Sequence, residues 1–294
     1  MPINIIGNRN LRVLLEQKAT THADKTFLVF EDADRETHSF SFSEVNRLVN
    51  QTANGLLDLG LRKGDKLNLH LANCPEFIFS WFAAAKIGAV IVPTNPLSPA
   101  DELKHPMRHS ESVLSITQPD LVTTVQAVRE SMSDLREVIV IGKNPAPTGT
   151  IAFRQLVSGS SENLTKVDLD PTDDAGMLYT SGTTSLPKGV RVTHANYIYT
   201  GEVVSRVMRL QQTDRQLVVL PLYHANAQYY MFMSALVTGA SVALMPRFSA
   251  SRFVEQAREH EATVTSLFAA PIRMILAQLR GKRDADHNLR LAIF

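Results

Sequence analysis

The chain has 294 residues, of which 30 are Lys or Arg, 29 are Asp or Glu, and 44% are hydrophobic. This length and hydrophobic content exclude a disordered chain and predict one large domain or two smaller cores. The formal net charge of +1 provides no general attraction to nucleic acid or to an anionic membrane, so partners have to be inferred from local sites.

The beginning of the chain and its cysteine content indicate a cellular location. The single cysteine, Cys74, cannot form an internal disulfide, which fits a reducing compartment. The first residues, MPINIIGNRNLRVLLEQ, lack the apolar core and the cleavage site of a secretion signal. No run approaches the roughly 20 apolar residues that a membrane-spanning helix requires. We therefore expect a soluble, cytoplasmic protein with no membrane span and no nucleic-acid partner.

Strand and helix patterns alternate along the chain, and their connectors are short and rich in Gly, Pro, Asn and Asp. This order predicts an α/β fold with doubly wound, mainly parallel sheets and flanking helices. In the first half the pattern predicts helices from Ser43 to Leu59, with Ser43 as N-cap, from Pro75 to Gly88 and from Leu121 to Met132. It predicts strands at Lys66 to Leu71, Ala89 to Val92, Val113 to Thr117 and Val138 to Ile141.

Two turn-rich stretches, residues 143–149 and 158–163, indicate a boundary between subdomains. We therefore expect an N-terminal α/β subdomain over residues 1–165 and an incomplete central α/β subdomain over residues 166–294. After residue 215 the pattern predicts strands at 216–220, 241–244, 263–268 and 289–294, and helices at 226–238, 250–260 and 272–279. Because the sequence stops within a predicted strand, we expect it to be a truncated piece of a longer protein.

The most informative segment is YTSGTTSLPKGV, residues 179–190, which lies between two strand-like runs. Its hydroxyl groups and glycine amides are neutral hydrogen-bond donors, glycine permits close approach of the backbone to an anion, and Lys188 adds a positive charge. The segment therefore suits a chain of phosphates. A Walker A loop is the rival, but that motif has glycine directly before its lysine and leads into a helix, whereas Pro187 precedes Lys188 here.

This segment carries a family resemblance. TSGTTSLPKG at residues 180–189, hereafter the signature loop, resembles the corresponding loop of the AMP-forming acyl-CoA synthetase superfamily, which includes luciferases and peptide-synthetase adenylation domains. Three more segments resemble family motifs in the same order: HSFSFSEVN at 38–46, KIGAVIVPTNP at 86–96 and PLYHANAQ at 221–228. Residues 60–93 resemble the carnitine/crotonobetaine–CoA ligase-like branch.

The resemblance implies the N-terminal part of the synthetase large domain and a two-step ligase reaction used in fatty acid metabolism. A carboxylic acid reacts with Mg²⁺–ATP to give an acyl-adenylate and pyrophosphate, and coenzyme A then displaces AMP. Lys188 and His224 would be the catalytic residues, and Tyr223 would bind the acid together with His224. The residues that would wrap the β- and γ-phosphates are Thr180, Ser181, Gly182, Thr183, Thr184 and Lys188.

The resemblance also implies that the family's later adenine, ribose and metal segments and its C-terminal small domain are absent from this sequence. We therefore expect the fragment alone to be inactive. Two alternatives remain open, namely a related adenylating enzyme that loads a carrier protein, and a non-catalytic module that binds acyl groups or partners. Homodimer formation is a further expectation from the family.

Other polar residues are predicted to have structural roles. His105, Arg108, His109 and Glu111 are expected to form a solvated helix face. The adjacent acids Asp173 and Asp174 precede the strand that leads into the signature loop, and we expect them at a turn rather than at a metal, because no ligand partner follows at a useful spacing.

Overall fold

The fold was obtained as a computed structural model, which describes residues 4–142, 145–180 and 186–294. Its strands are β1 (Thr26–Glu31), β2 (Thr37–Ser41), β3 (Lys66–His70), β4 (Val90–Pro93), β5 (Ser112–Thr117), β6 (Glu137–Val140), β7 (Ile151–Ala152), β8 (Asp174–Thr180), β9 (Lys188–Thr193), β10 (Arg215–Val218), β11 (Ser241–Leu244), β12 (Val264–Ser266) and β13 (Leu291–Ile293).

The α-helices alternate with these strands along most of the chain. They are α1 (Leu11–Thr21), α2 (Phe42–Asp58), α3 (Pro75–Ile87), α4 (Ala100–His109), α5 (Val122–Arg129), α6 (Phe153–Ser158), α7 (His194–Val207), α8 (Ser234–Thr238), α9 (Phe253–Glu259) and α10 (Ala269–Leu276). A 3₁₀ turn covers Pro119–Leu121, and a π-helix covers Asn226–Met233. No helix within the described residues is both long and apolar enough to cross a membrane.

The strands form two sheets. The first sheet has six strands in the order β13-β12-β10-β11-β1-β2, and the second has seven in the order β7-β6-β5-β3-β4-β8-β9. All neighbours are parallel except the hairpins β1–β2 and β8–β9, each at one edge of its sheet. The predicted α/β class with mainly parallel sheets is therefore confirmed.

Helices fill the space between the sheets and cover their outer faces. The largest apolar core joins Leu67 of β3 and Val242 of β11 through side chains of α3, including the fully buried Trp81. A second core packs α4 and α5 on the outer face of the second sheet, and a third packs α9 and α10 on the first sheet. Burial of both faces explains the apolar runs of central strands such as β4 (VIVP) and β11 (SVAL), in which every residue is buried.

Two local expectations need correction. The N-cap of α2 is Ser41 rather than Ser43, because the Ser41 hydroxyl accepts a hydrogen bond from the Glu44 amide while the Glu44 carboxylate accepts one from the Ser41 amide. This reciprocal capping box satisfies two donors that Ser43 would leave open. The predicted helix at 226–238 is π-helical over its first eight residues and α-helical only from Ser234.

Both sheets draw strands from each side of the predicted boundary at residue 165. In the first sheet β1 pairs with β11, and in the second sheet β4 pairs with β8. Residue 165 therefore does not separate one sheet from the other, because each sheet contains strands from both sides of it. The two subdomains remain a prediction.

Candidate functional site

The signature loop joins the two strands of the edge hairpin of the second sheet. Thr180 pairs with Lys188, and Tyr179 pairs with Gly189 in the antiparallel register. The predicted flanking strands are thus confirmed. A strand rather than a helix follows Lys188, which argues against the Walker A alternative.

Thr180 and Lys188 face each other at the last rung of the ladder. Side chains of directly opposed residues project from the same face of a sheet, and both of these residues are exposed. Lys188 makes no ion pair within the described part of the chain, so its ammonium group is available to an anion. The predicted phosphate ligands Ser181, Gly182, Thr183 and Thr184 lie outside the described residues.

Two glycines permit close approaches in this hairpin. A Cβ atom on Gly189 would lie 2.9 Å from the Met177 sulfur and 3.2 Å from the Tyr179 ring. A Cβ on Gly176 would lie 2.6 Å from the hydroxyl oxygen of Tyr197, which belongs to α7. Either side chain would require movement of its neighbours, so both glycines are explained by space rather than by backbone conformation.

The two acids before the loop form ion pairs. Asp173 lies 2.7 Å from the Lys63 ammonium, and Asp174 lies 2.6 Å from the Arg191 guanidinium on β9. The hydrogen bond from Lys63 holds the pKa of Asp173 below its usual value. These two ion pairs stabilise the base of the hairpin, which is a structural role for both acids.

Tyr223 and His224 lie beyond the carboxyl end of β10, in the first sheet. Their ring centroids are 4.2 Å apart, with the ring planes 39° from parallel. His224 is exposed, yet desolvation lowers the pKa of its imidazole, which favours the neutral form near pH 7. A neutral imidazole has one N–H donor that can contact an oxygen of a bound anion.

The buried side-chain carboxamides of Asn73 and Gln228 bind the backbone of Leu222, which precedes this pair. The Leu222 amide donates to Asn73 Oδ1 over 2.8 Å, and the Leu222 carbonyl accepts from Gln228 Nε2 over 2.6 Å. Asn73 Nδ2 also donates to the carbonyls of Leu220 and Met245. Asn73 follows β3 of the second sheet, so its side chain connects the carboxyl edges of both sheets.

A third buried residue extends this network to the hairpin. The Tyr197 hydroxyl donates to Gln228 Oε1 over 2.7 Å, and the same hydroxyl packs beside Gly176 of β8, where an added Cβ would lie 2.6 Å from it. The structure thus links β8 to the Tyr223–His224 segment through Tyr197, Gln228 and Leu222. Sequence reasoning missed Asn73 and Tyr197, although Gln228 lies within the PLYHANAQ motif.

Asn226 lies two residues beyond His224, at the start of the π-helix. Its Nδ2 donates to Ser266 Oγ at the end of β12 over 2.9 Å. Its Oδ1 is buried and has no hydrogen-bond partner among the described residues. A buried acceptor without a partner costs free energy, and π-helical turns are frequent at functional sites, so Asn226 joins the candidate site.

Another polar cluster lies on the β1–β2 hairpin. Ligand atoms of Asp32, Glu36 and His38 lie within 4.8 Å of one another. Asp32 already accepts hydrogen bonds from the amides of Asp34 and Glu36, and His38 lies 3.2 Å from its carboxylate. These contacts close the hairpin and account for the cluster without an ion.

Comparison with known protein families gives one match over most of the chain. Residues 15–294 match the family model described as AMP-binding enzyme. The crotonobetaine/carnitine–CoA ligase of Salmonella typhimurium is 37% identical over 295 residues, which cover 99% of this chain and 57% of that enzyme. The chain therefore spans little more than half the length of this relative.

Solved structures show the same fold. The anthranilate CoA ligase AuaEII, in complex with anthranoyl-AMP, superposes with a TM-score of 0.89 at 25% identity, covering 97% of this chain and 54% of that one. A putative long-chain-fatty-acid CoA ligase from Rhodopseudomonas palustris gives a TM-score of 0.84 at 20% identity, covering 97% of this chain and 75% of that one.

Proposed function

The chain belongs to the AMP-binding enzyme family, and we propose that it forms the phosphate-binding part of an AMP-forming acid–thiol ligase. In the first step, a carboxylate oxygen bonds to the α-phosphorus of MgATP, and the bond to the β-phosphate bridging oxygen breaks to release pyrophosphate. In the second step, the thiolate of coenzyme A bonds to the acyl carbon of the adenylate, and AMP leaves.

The observation that carries this proposal is the hairpin that presents Thr180 opposite Lys188. Pairing of β8 with β9 fixes the two ends of the signature loop at an exposed edge of the sheet. There the Thr180 hydroxyl and the Lys188 ammonium, which both belong to described residues, can contact a polyanion. Preorganised donors of this kind stabilise charge that develops in a transition state. Lys188 would neutralise the leaving pyrophosphate, and Ser181, Gly182, Thr183 and Thr184 would supply further donors.

His224 would act at the other end of the reacting triphosphate. Its neutral imidazole would donate a hydrogen bond to the acyl carboxylate or to an α-phosphate oxygen, with the Tyr223 ring against one side of it. The support is the lowered pKa of His224 and the network that links its segment to β8. Such a network holds a reacting group in place without energy spent on reorganisation.

Mg²⁺ would enter with ATP as part of the substrate. The described residues of the hairpin offer hydroxyl and ammonium groups, and the nearby acids Asp173 and Asp174 are already paired with Lys63 and Arg191. We therefore assign neither Asp173 nor Asp174 as a metal ligand.

Coenzyme A is the proposed acceptor, and a carboxylic acid of the carnitine or crotonobetaine type is the first acid to test. The support is the name of the relative that is 37% identical to this chain. We also propose a cytoplasmic location, since the one cysteine is buried and needs no oxidising compartment. A homodimer is the proposed assembly, and light scattering of the full-length polypeptide would test it.

The deciding experiment is acid-dependent exchange of labelled pyrophosphate into ATP. We expect the full-length polypeptide to catalyse this exchange with at least one acid from a panel that includes carnitine, crotonobetaine, aryl acids and fatty acids. Thioester formation is then measured with free coenzyme A and, separately, with a phosphopantetheinyl carrier protein. No exchange with any acid would contradict the proposal.

The same assays separate the two alternatives. Acyl transfer to the carrier protein but not to coenzyme A would identify a carrier-loading enzyme. Binding of an acid or of a protein partner without any adenylate formation would identify a non-catalytic module. The 294-residue chain is assayed in parallel, and we expect it to bind MgATP weakly without turnover.

A further inference from the structure

Two histidines on α4 form hydrogen bonds to Pro187, within the signature loop, and to Tyr179, the residue that precedes it. Because His105 and His109 are one helical turn apart, they share a face of the helix, and their ring centroids are 5.5 Å apart. This face was expected to be solvated, and Arg108, His109 and Glu111 are indeed exposed, whereas His105 is half-buried. Both histidines nevertheless form hydrogen bonds to the β8–β9 hairpin.

The first contact fixes the end of the loop that precedes the lysine. His105 Nε2 lies 2.8 Å from the carbonyl oxygen of Pro187, so the imidazole is the donor. A proline has no backbone N–H, which leaves this carbonyl as its only main-chain hydrogen-bonding group. Pro187 immediately precedes Lys188, so the hydrogen bond from His105 holds the peptide group that joins these two residues.

The second contact fixes the opposite end. His109 Nδ1 lies 2.7 Å from the hydroxyl of Tyr179, the residue before Thr180. The Tyr179 ring is close to perpendicular to both imidazole rings, at centroid distances of 6.1 Å from His105 and 5.8 Å from His109. Burial raises the pKa of Tyr179 to about 12, so its hydroxyl keeps its proton at neutral pH and remains able to donate.

The hairpin needs such contacts because of its place in the sheet. β9 is an edge strand and pairs only with β8 among the described strands, so the hairpin end receives no support from a further one of them. Segments with few buried contacts open most readily. The hydrogen bonds from α4 therefore supplement the ladder at this end of the hairpin.

We infer that His105 and His109 are positioning residues that fix the two ends of the signature loop and so direct Thr180 and Lys188 toward a bound phosphate chain. This inference rests on the proposed function for its effect on ATP, but the contacts themselves do not depend on catalysis. A solvated helix face without a role in the site would predict that substitution of either histidine has no effect on the loop.

The first test measures the loop directly. Amide hydrogen exchange is followed in a peptide that covers residues 179–190, in the wild-type chain and in His105→Ala and His105→Gln. We expect faster exchange in the alanine variant and near wild-type exchange in the glutamine variant, because the glutamine amide nitrogen can take the place of Nε2. His109→Asn, which retains a polar atom near the position of Nδ1, is the corresponding variant at the second contact.

The second test measures the effect on catalysis in the full-length polypeptide. In pyrophosphate exchange, we expect His105→Ala to raise the KM for MgATP about two- to tenfold, the range for loss of one hydrogen bond that orders a binding loop. The KM for the acid should stay within about twofold, and His105→Gln should restore the KM for MgATP. A merely structural defect would instead change both KM values or the amount of folded protein.

His38→Ala is the matched control, since it removes an exposed histidine from the first sheet. The inference is overturned if His105→Ala matches this control in hydrogen exchange, or if exchange increases while the KM for MgATP does not. The inference is also overturned if His105→Gln restores neither the hydrogen exchange rate nor the KM for MgATP, because the imidazole would then act through packing rather than through its hydrogen bond. If the wild type shows no pyrophosphate exchange, the proposed function fails, and hydrogen exchange still decides whether the histidines hold the loop.

Discussion

The carboxamide of Asn73 binds the backbone of Leu222 across the two sheets, with its Oδ1 accepting from the Leu222 amide over 2.8 Å. The two residues are 149 positions apart in the chain. The same side chain donates to the carbonyls of Leu220 and Met245, so all of its contacts serve the segment before Tyr223 or the neighbouring strand end. Asn73 is almost fully buried, and water cannot replace these bonds.

We predict that Asn73→Ala destabilises the chain and impairs the site. The substitution leaves one buried amide and two buried carbonyls without a partner, which should lower the free energy of unfolding by about 1–3 kcal/mol. Asn73→Asp should be worse, because a carboxylate would face two carbonyl oxygens. Urea unfolding of the chain measures both effects.

The control for Asn73 is Asn163→Ala, at an exposed position. We expect its midpoint in urea to match the wild type. Equal midpoints for Asn73→Ala and this control would show that the three hydrogen bonds contribute nothing to stability.

Lys188→Ala should affect the reaction and leave the fold unchanged. Lys188 is exposed and makes no ion pair within residues 4–142, 145–180 and 186–294, so the melting temperature should not move. If its ammonium stabilises the leaving pyrophosphate, its removal should slow adenylate formation by about 10²–10³-fold, the cost of losing one preorganised donor. Single-turnover adenylate formation by the full-length polypeptide measures the rate.

Lys166→Ala is the matched control, since it removes another exposed lysine, outside the signature loop. Its rate should equal that of the wild type. A Lys188→Ala rate within about twofold of this control would remove Lys188 from the catalytic residues.

Gly176→Ala tests the contact between β8 and Tyr197. The new Cβ would lie 2.6 Å from the Tyr197 hydroxyl oxygen and 3.4 Å from the nearest ring carbons. We therefore expect the substitution to destabilise the chain by about 1–3 kcal/mol, as other small-to-large changes in cores do. Gly159→Ala, where the nearest atom is 3.6 Å away, should have little effect.

Tyr197→Phe should relieve most of this clash, because it removes only the offending oxygen. In a double-mutant cycle, we expect Gly176→Ala to cost less in the Tyr197→Phe background than in the wild type, by about 1 kcal/mol or more. Tyr197→Phe alone should cost about 1 kcal/mol, since Gln228 Oε1 loses its donor. If the free-energy changes of the two substitutions are additive, the Tyr197 hydroxyl is not the cause of the destabilisation by Gly176→Ala.

Local patterns predicted the elements around the site better than the contacts within it. The strands flanking the signature loop were predictable because residues 175–180 are strand-like and residues 190–193 are rich in β-branched side chains, and the Pro75–Ile87 helix because Pro starts it and Gly88 stops it. The π-helix was not, since its repeat differs from the 3.6 residues that an α-helical pattern assumes. It packs against α7 and β12, contacts that the local sequence does not indicate.

The long-range hydrogen bonds were not predictable for a different reason. The bond from His105 to Pro187 joins residues 82 positions apart, and neither residue type requires the other. A histidine at two helical positions is compatible with a solvated face, and only the placement of α4 beside the edge hairpin makes it a contact. Such pairings follow from the topology of the sheets, which single-sequence patterns do not encode.

The last prediction concerns acid stability and His194, the first residue of α7. Its imidazole is fully buried, and its Nδ1 accepts a hydrogen bond from the amide of Leu11 at the start of α1. Burial lowers the pKa of His194 to about 4, whereas an unfolded histidine titrates near 6.5. Between these values the unfolded chain binds a proton that the folded chain does not.

The sign of the effect follows from this difference. The contribution of His194 to stability is fully present above about pH 6.5 and is lost as the pH falls toward about 4, by at most about 1.4 kcal/mol per pH unit and on the order of 3 kcal/mol in total. His194→Asn retains an acceptor near the position of Nδ1 but cannot titrate. We therefore expect urea midpoints of this variant to fall less steeply than those of the wild type between about pH 6.5 and 4.

A second buried histidine sets how much of the slope should disappear. His70 is also fully buried with its pKa lowered by burial to about 4, so part of the wild-type slope should remain in His194→Asn. Equal slopes for His194→Asn and the wild type would mean that His194 binds its proton equally well in the folded and unfolded chain, and that the contact between α1 and α7 does not depend on a neutral imidazole.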